Sequence, residues 1–502
     1  MLDNVFAGLQ ILGQWQVVLY LLAGTVSGMV FGALPGLGGP TVVALIIPLT
    51  FGMDANSALL LLASSMGGVA FGGSISAILI NTPGTAPNAA TCFDGYPMAR
   101  RGEANVAIGA AATASALGAI FGLVVFLLIL PFAAKFLLSF SYAENLTLAL
   151  FGLSTIAIVS EGSVAKGLIA GAFGMLLSFV GRDLMTGRLR YTFDSLYLQD
   201  GISLLPVLIG LFALGEIIGL LVKGKSIQDL NMTDRQHSGI RDTMRGVAAV
   251  FQNFFLFLRC SALGTLIGAI PGLGGTVANF LAYLHAKQTS KDGDTFGKGN
   301  IKGVIASESS NDAKDGGAML PTILFGLPGS ATWAVLLGGF VLHGVAPGPQ
   351  LVHTHPELIF ILIAGLLVSN ILTSVIGILL ASHLAKLIKI PVLVLAPVIF
   401  ATGLIGAYAS NGKPGNIVVA AIFGFVGYGM KKYNYPRVSV IIGLILGPIA
   451  EASYFQLNYS SQSLWSRPIA MGFLFLTIAM LLIPLFKLMA RKIRSGSDRR
   501  SA

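Results

Sequence analysis

GALPGLGG occupies Gly32 to Gly39, and GAIPGLGG, differing at one position, occupies Gly268 to Gly275, 236 positions later. Proline removes a backbone donor and glycine opens positive φ, so each P-G stops a helix sharply. Both copies stand inside strongly apolar sequence, and both extend upstream to the frame G-x-x-x-G-A-x-P-G-L-G-G, from Gly28 and from Gly264. A chain that breaks its helices twice in the same way reads as two related halves.

The surrounding composition says what those halves sit in. Of 502 residues 55% are hydrophobic and only 10% charged, with mean hydropathy +0.82. A soluble chain would carry about 25% charged residues. Several windows long enough to span a bilayer, roughly 20 residues, hold no charge at all; Val106 to Phe132, Leu358 to Ala381 and Pro468 to Phe486 are examples. The formal charge of +10 comes from short loops and the C-terminus, where basic residues orient spans, so it gives no reason to expect nucleic-acid binding. Two apolar-flanked cysteines, Cys92 and Cys260, make neither a disulfide framework nor a metal site. The N-terminus lacks the basic region and cleavage site of a signal peptide.

A second breaker follows in each half: NTPGTAP at Asn81 to Pro87, and GLPGSAT at Gly326 to Thr332. Loop charge orients the halves. After the first octapeptide comes GMDANS without a basic residue, whereas HAKQTSKDGDTFGKGNIK, with four lysines, follows the second. After the second breakers the contrast reverses: DGYPMARRGE carries two arginines and HGVAPGPQLVHTHPE no lysine or arginine. Equivalent loops fall on opposite sides, which is the signature of inverted-topology repeats.

The fold expected is therefore an all-α polytopic membrane protein of two inverted repeats, with about 11–12 crossings at roughly 20 residues each. Each repeat has a re-entrant hairpin, tipped by PGLGG, and an interrupted helix at the second breaker. The second hairpin is expected between Arg245 and Lys287, and DGYPMARRGE is expected as a loop. Residues 1–222 form repeat one, 223–246 a cytoplasmic linker, 247–486 repeat two plus a terminal span, and 487–502 a basic cytoplasmic tail. Only the loop from Arg182 to Asp200 fits poorly: it should be periplasmic, yet holds three arginines.

Broken helices in lipid leave backbone groups without intrahelical partners, at several kcal/mol each, so they persist where protein, water or ligand satisfies them. A half-helix starting after a break offers free N–H groups and a positive dipole end to an anion. Carbonyls released before it, with Thr and Ser hydroxyls, suit a small hard cation. A plainer reading is that the glycines serve close helix packing and the hydroxyls cap local backbone. Between the breakers of repeat two, IASESSNDAKDGG brings Glu308, Asn311, Asp312, Lys314 and Asp315. These either coordinate a cation or substrate or form a solvated helix start with Ser307 as N-cap. Glu144, Glu161, Glu216 and Glu451 lie at span ends or in apolar segments, where a carboxylate invites a functional reading. The six histidines show no metal-ligand spacing beyond His353-Thr-His355, and no nucleophile elbow, Walker A or zinc motif occurs.

At these residues the chain resembles the large membrane subunit of the tripartite tricarboxylate transporters, the TctA-type permeases. The likeness rests on the paired P-G-L-G-G, on GGSISAILINTPGTAPNAAT at Gly72 to Thr91, and on the E-x-x-N-x-A…P-x-x-x-x-G-x-P-G-S run from Glu308 to Ser330. The resemblance implies a secondary transporter of a bacterial inner membrane with a cytoplasmic C-terminus. It implies two partners, a small TctB-type membrane subunit and a periplasmic TctC-type solute-binding protein. Substrates would be tri- or dicarboxylates such as citrate, carried by symport with Na+ or H+ and no other cofactor, through an elevator motion. Substrate would meet Asn81, Thr82, Pro83, Gly84, Thr85, Gly326, Pro328, Gly329, Ser330 and Thr332. Cation coordination or gating would fall to Pro35, Gly36, Gly38, Gly39, Pro271, Gly272, Gly274, Gly275, Glu308, Asn311 and Asp312. The family commonly has two asparagines where this chain has Asn311-Asp312, so one carboxylate is extra. An anion channel or a permease for a non-carboxylate solute is the alternative; an enzyme would need a convergent catalytic set, which the sequence lacks.

Overall fold

The computed structural model describes residues 13–34, 36–137, 139–159, 163–183, 186–223, 239–271, 274–384, 392–460 and 463–482. Pro35, Gly272, Glu161, most of the linker and the basic tail lie outside them. The described chain is helical almost throughout: α1 (Trp15–Gly32), α2 (Gly39–Ile46), α3 (Ala55–Ile80), α4 (Ala89–Arg100), α5 (Ala104–Leu137), α6 (Tyr142–Val159) and α7 (Val164–Ser178) open it. Two-residue strands β1 (Gly181–Arg182) and β2 (Leu189–Arg190) pair antiparallel, Gly181 opposite Arg190. Then come α8 (Leu196–Gln199), α9 (Leu204–Val222, π-helical over Ile209–Leu214), α10 (Ile240–Gln252), α11 (Phe254–Gly268), α12 (Gly274–Thr289), α13 (Ile301–Met319) and α14 (Ala331–Leu342). The chain closes with α15 (Pro349–Thr354), α16 (Pro356–Leu384), α17 (Val392–Ala409), α18 (Gly415–Lys432), α19 (Arg437–Tyr459) and α20 (Pro468–Leu482).

Six of the described helices are long and apolar enough to cross a membrane: α1, α3, α5, α9, α16 and α19. The bent pair α10 and α11, turning by 77°, makes a seventh if counted as one span. A helix that is apolar all round, as α3 is, belongs in the core of a large protein or across a membrane.

The chain forms two compact units that do not follow its two sequence halves. One takes residues 1–134 and 205–428, the other 135–204 and 429–502. The first unit holds both octapeptides and both second breakers. Inside the second, α19 packs along α6 and α7, and its charged groups pair off: Arg190 grips Glu451 through two bonds of 2.6 and 3.0 Å, and Arg467 grips Glu144 at 2.9 and 3.0 Å. Arginine on both oxygens of Glu144 and of Glu451 is a structural pairing. Each of the two acids thus has an ion-pair partner that accounts for its place in the fold.

Three local expectations need correction. The segment ahead of the second hairpin is helix α10 from Ile240, and the hairpin proper is α11 and α12. DGYPMARRGE is not a loop, because α4 runs through to Arg100 with Pro97 inside it. Ser307 is no N-cap: α13 starts at Ile301, capped by Asn300, whose side chain accepts from Lys302 N at 2.9 Å. The polar run looked like a wet helix start only because its partners come from the other half of the sequence.

Candidate substrate and ion site

Small residues set the frame of the first unit. α1 lies so close on α3 that a Cβ at Gly32 would fall 2.6 Å from the Val69 carbonyl oxygen, and one at Gly72 2.3 Å from that of Met29. α11 lies on α13 in the same way, Gly268 against the Lys314 carbonyl at 2.1 Å and Gly317 against that of Thr265 at 2.0 Å. These pairs are the same contact twice, Gly32 standing to Gly268 and Met29 to Thr265 as Val69 stands to Lys314 and Gly72 to Gly317. The G-x-x-x-G frame of the octapeptides is thus a helix-packing stripe, and the plainer reading of the glycines holds for this part of the motif.

The second breakers repeat as well. α3 ends at Asn81 with φ 54°, and the interrupted helix of the other half turns at Gly326 with φ 68°. Such left-handed residues commonly end helices. Gly84 then presses on the Gly32 carbonyl and the Gly73 Cα, and Gly329 presses on the Gly268 carbonyl and the Ala318 Cα. Past each break a new helix starts, α4 after a short 3-10 turn at Ala86–Asn88 and α14 directly, with Ser330 accepting from Trp333 N at 3.4 Å.

The halves then meet crosswise. A Cβ on Gly39, at the first octapeptide's end, would lie 2.6 Å from Thr332 Oγ1, just past the second breaker of the other half. One on Gly275 would lie 3.2 Å from Pro87 Cγ, just past the first breaker, and Asn279 donates to the Pro87 carbonyl at 3.1 Å. Contact i to j answered by j to i is the mark of a two-fold relation. The loops obey it too: Arg101 donates to the carbonyls of Lys298 and Gly299 at 2.6 Å each, and Thr50 bonds His343 at 2.8 Å.

Between these tips runs α13, buried along most of its length although it carries six charged or amide side chains. Glu308 is 0% exposed. Its Oε2 accepts from Ser74 of α3 at 2.7 Å and its Oε1 from Thr91 of α4. Thr91 also bonds Ser307 at 3.0 Å, while Asn88 donates to Ser74 at 2.9 Å and accepts from Thr85. Asp312 accepts from Ser115 of α5 with one oxygen; its Oδ1 has no hydrogen-bond partner among the described residues though the residue is buried. Among the described residues neither Glu308 nor Asp312 forms an ion pair, while Lys314 pairs with Asp315 at 3.0 Å. Three buried or nearly buried carboxylates thus share α13 with one buried ammonium. An unpaired carboxylate out of water is costly, about 2.5–3.5 kcal/mol at a span's centre on insertion scales, so the arrangement invites a cation or protons.

The expected residues are sorted by this geometry. Glu308 joins Thr85 of the first breaker through Ser74 and Asn88, while Asp312, four residues on in α13, meets Ser115 of α5, with Asn311 beside it in sequence. Gly39, Gly275 and Thr332 sit at the crosswise contacts. Gly84, Gly326, Pro328 and Gly329 are buried, Thr82, Pro83, Gly38, Pro271, Gly274 and Ser330 half-buried, and Asn81 and Gly36 exposed. Several breaker donors are already taken by protein: Gly329 N by Thr322 Oγ1 at 3.1 Å and Leu327 N by the Pro321 carbonyl at 2.9 Å. Sequence reading missed Ser74, Ser115 and Asp94. Asp94 is 0% exposed and gathers three backbone N–H groups, of Gly297, Gly299 and Asn300 at 2.7–2.9 Å, and the Tyr283 hydroxyl at 2.9 Å. An aspartate inside what looked like a basic loop gave no signal.

Fold and site define a multi-pass helical membrane protein whose core holds two like broken-helix motifs around a buried polar cluster. Residues 18–442 match the tripartite tricarboxylate transporter TctA family, and the chain belongs to that family of transporters. A protein of Agrobacterium vitis described as an uncharacterized 52.8 kDa protein in the TAR-I ttuC' 3' region is 31% identical over 438 residues, covering 86% of this chain and 85% of that one. A second from the same organism, described as an uncharacterized protein in the TAR-II ttuC' 3' region, is 31% identical over 188 residues, 38% of this chain and 78% of its own. A crystal structure of an Eremococcus coleocola manganese transporter mutant aligns over 94% of this chain and 95% of that one at 15% identity, with a TM-score of 0.14, too low to bear on the fold.

Proposed function

We propose that the chain is the large transmembrane subunit of a binding-protein-dependent secondary transporter that imports a tri- or dicarboxylate by symport with Na+ or H+. The observation that carries the reading is Glu308: a carboxylate with no exposure, held by hydroxyls from two helices of the opposite half and lacking an ion-pair partner among the described residues. A site of that kind gains most when a small cation or a proton arrives. The substrate's carboxylates go to the breaks at Asn81–Thr85 and Gly326–Thr332, where two helices begin with their positive ends toward the cluster.

The repeats are inverted in this reading. Loop charge supports it, and so does the pairing of loops: the arginine-bearing turn after the first breaker meets the lysine loop, and Thr50 meets His343. The unit that holds both tips and both interrupted helices carries the site as one body, in an elevator motion. A TctB-type small subunit and a periplasmic TctC-type binding protein complete the assembly, in a bacterial inner membrane with the basic C-terminus in the cytoplasm.

The test is uptake into proteoliposomes of the complete assembly, with labelled citrate, tricarballylate and succinate under imposed sodium or proton gradients. Saturable, gradient-driven uptake that needs the binding protein is the expected result. Flux that does not saturate and ignores both gradients would mean a channel and refute the proposal.

A further inference from the structure

Lys314 is the one buried cation of the cluster on α13, and its position is not explained by a cation site. Its side chain is 9% exposed. It runs along the first turn of α12, so that a Cβ on Gly275 would fall 2.0 Å from Lys314 Cε and 2.4 Å from Cδ. The ammonium donates to the Asn311 carbonyl and to Asp315 Oδ2 at 3.0 Å. Asp315 in turn accepts from the indole N–H of Trp333 at 3.2 Å. Trp333 is 0% exposed and is the third residue of α14, just past the second breaker.

Two positive features therefore converge, an ammonium and the N-terminal turn of a 16-residue helix. Like charges out of water repel, and an anion between them relieves both. Asp315 supplies one carboxylate, and it is tied on its far side to the helix that starts at the break. The other half of the sequence isolates what is special here. Val69 holds the place of Lys314, with the same glycine on its carbonyl, so the shared frame needs no lysine at this point. The cation belongs to one half only.

Building on the carboxylate reading above, we propose that Lys314 anchors one carboxylate of the substrate, which exchanges with Asp315 at the ammonium. Asp315 is the internal anion of the site. Its departure frees the Trp333 indole, and thereby couples arrival of the substrate to the start of the interrupted helix. Recognition then requires at least one ionised carboxylate. The lysine, absent from the opposite half, makes the substrate bind in one orientation.

The chain has three tryptophans, Trp15, Trp333 and Trp465, so Trp15→Phe with Trp465→Phe leaves Trp333 as the sole tryptophan of this chain, and its signal in the full assembly is the difference from the same assembly carrying Trp333→Phe as well. Citrate, tricarballylate and succinate are titrated against its fluorescence, beside the triamide of citrate. The expected result is a saturable change with at least one acid, none with the amide, and a midpoint raised tenfold or more by Lys314→Gln but less by Lys314→Arg. Asp315→Asn, which removes the internal competitor, should lower the midpoint severalfold; this variant keeps the test open if the lysine variants fail to assemble. A wild-type midpoint in Lys314→Gln, or an unchanged one in Asp315→Asn, overturns the anchor while carboxylate uptake by the unaltered protein leaves the transport reading standing. If the unaltered protein takes up no carboxylate but a neutral or cationic solute, both fall together.

Discussion

Gly39 and Thr332 touch across the two halves of the chain, closely enough that a methyl group on Gly39 would fall 2.6 Å from the threonine hydroxyl. Thr332 is half-buried at the start of α14, and its side chain is the atom group that would have to give way. Gly39→Val should cut uptake at least tenfold, since overpacking a close contact costs about 1–3 kcal/mol. Gly39→Ala should be milder, and adding Thr332→Ala should restore most of the loss. Transport assays on the single and double variants give the coupling between the residues directly; additive losses would mean that the contact does not govern transport.

The crosswise contacts are reciprocal, and the membrane side of each loop is a separate question. Arg100 and Gln350 are both exposed and follow the second breaker in their respective halves. Inverted repeats place Arg100→Cys within reach of impermeant thiol reagents from the cytoplasm and Gln350→Cys from the opposite side. Labelling of both from one side would rule the inversion out.

Asp94 predicts a stability effect separate from transport chemistry. Replacing it with Ala strands three backbone N–H groups and the Tyr283 hydroxyl, and each orphaned buried donor costs about 1–3 kcal/mol. Asp94→Ala should therefore unfold at markedly lower temperature in detergent, with Asp94→Asn intermediate and Tyr283→Phe mildest, near 1 kcal/mol. Whatever protein assembles should keep its half-saturation for substrate.

In the second unit, Glu451 and Arg190 are partly exposed, 22% and 29% by side chain. A bidentate pair at that exposure contributes about 1 kcal/mol. Glu451→Gln should lower stability by that order and leave the dependence of uptake on sodium and pH unchanged. A shifted cation dependence would return Glu451 to the list of coupling groups.

Much of the frame was legible because backbone breaks are written locally. P-G dipeptides and the glycine at four-residue spacing mark where a helix must stop or be approached, whatever it packs against. The repeat could be read for the same reason, residue for residue, from Gly28 to Gly39 and Gly264 to Gly275. The polar cluster was only half legible. Glu308, Asn311 and Asp312 stood out as polar residues beside apolar sequence, but the decision between a wet helix start and a buried site depends on Ser74, Thr91 and Ser115, more than 190 positions away. Serine and threonine in membrane helices commonly bond their own backbone, as Ser64 and Ser65 do here, so nothing in their spacing singles out the three that turn to a carboxylate.

Glu308 gives the sharpest test of the site. Glu308→Gln keeps the shape and two acceptor or donor positions but can bind neither a proton nor a cation with charge, so uptake driven by either gradient should fall about a hundredfold, the equivalent of roughly 2.8 kcal/mol at about 1.4 kcal/mol per decade. Assembly should survive, because the neutral amide costs less to bury than an unpaired carboxylate. Thr91→Val and Ser74→Ala each remove one hydroxyl bond to the carboxylate. Bonds to charged groups contribute about 1.5–3 kcal/mol, so either variant should raise the cation concentration for half-maximal uptake by roughly tenfold to a hundredfold, with the limiting rate less affected. If Glu308→Gln transports with an unchanged response to sodium and pH, the buried carboxylate is structural, and coupling has to be sought at Asp312, whose Oδ1 is the one carboxylate oxygen on α13 without a hydrogen-bond partner among the described residues.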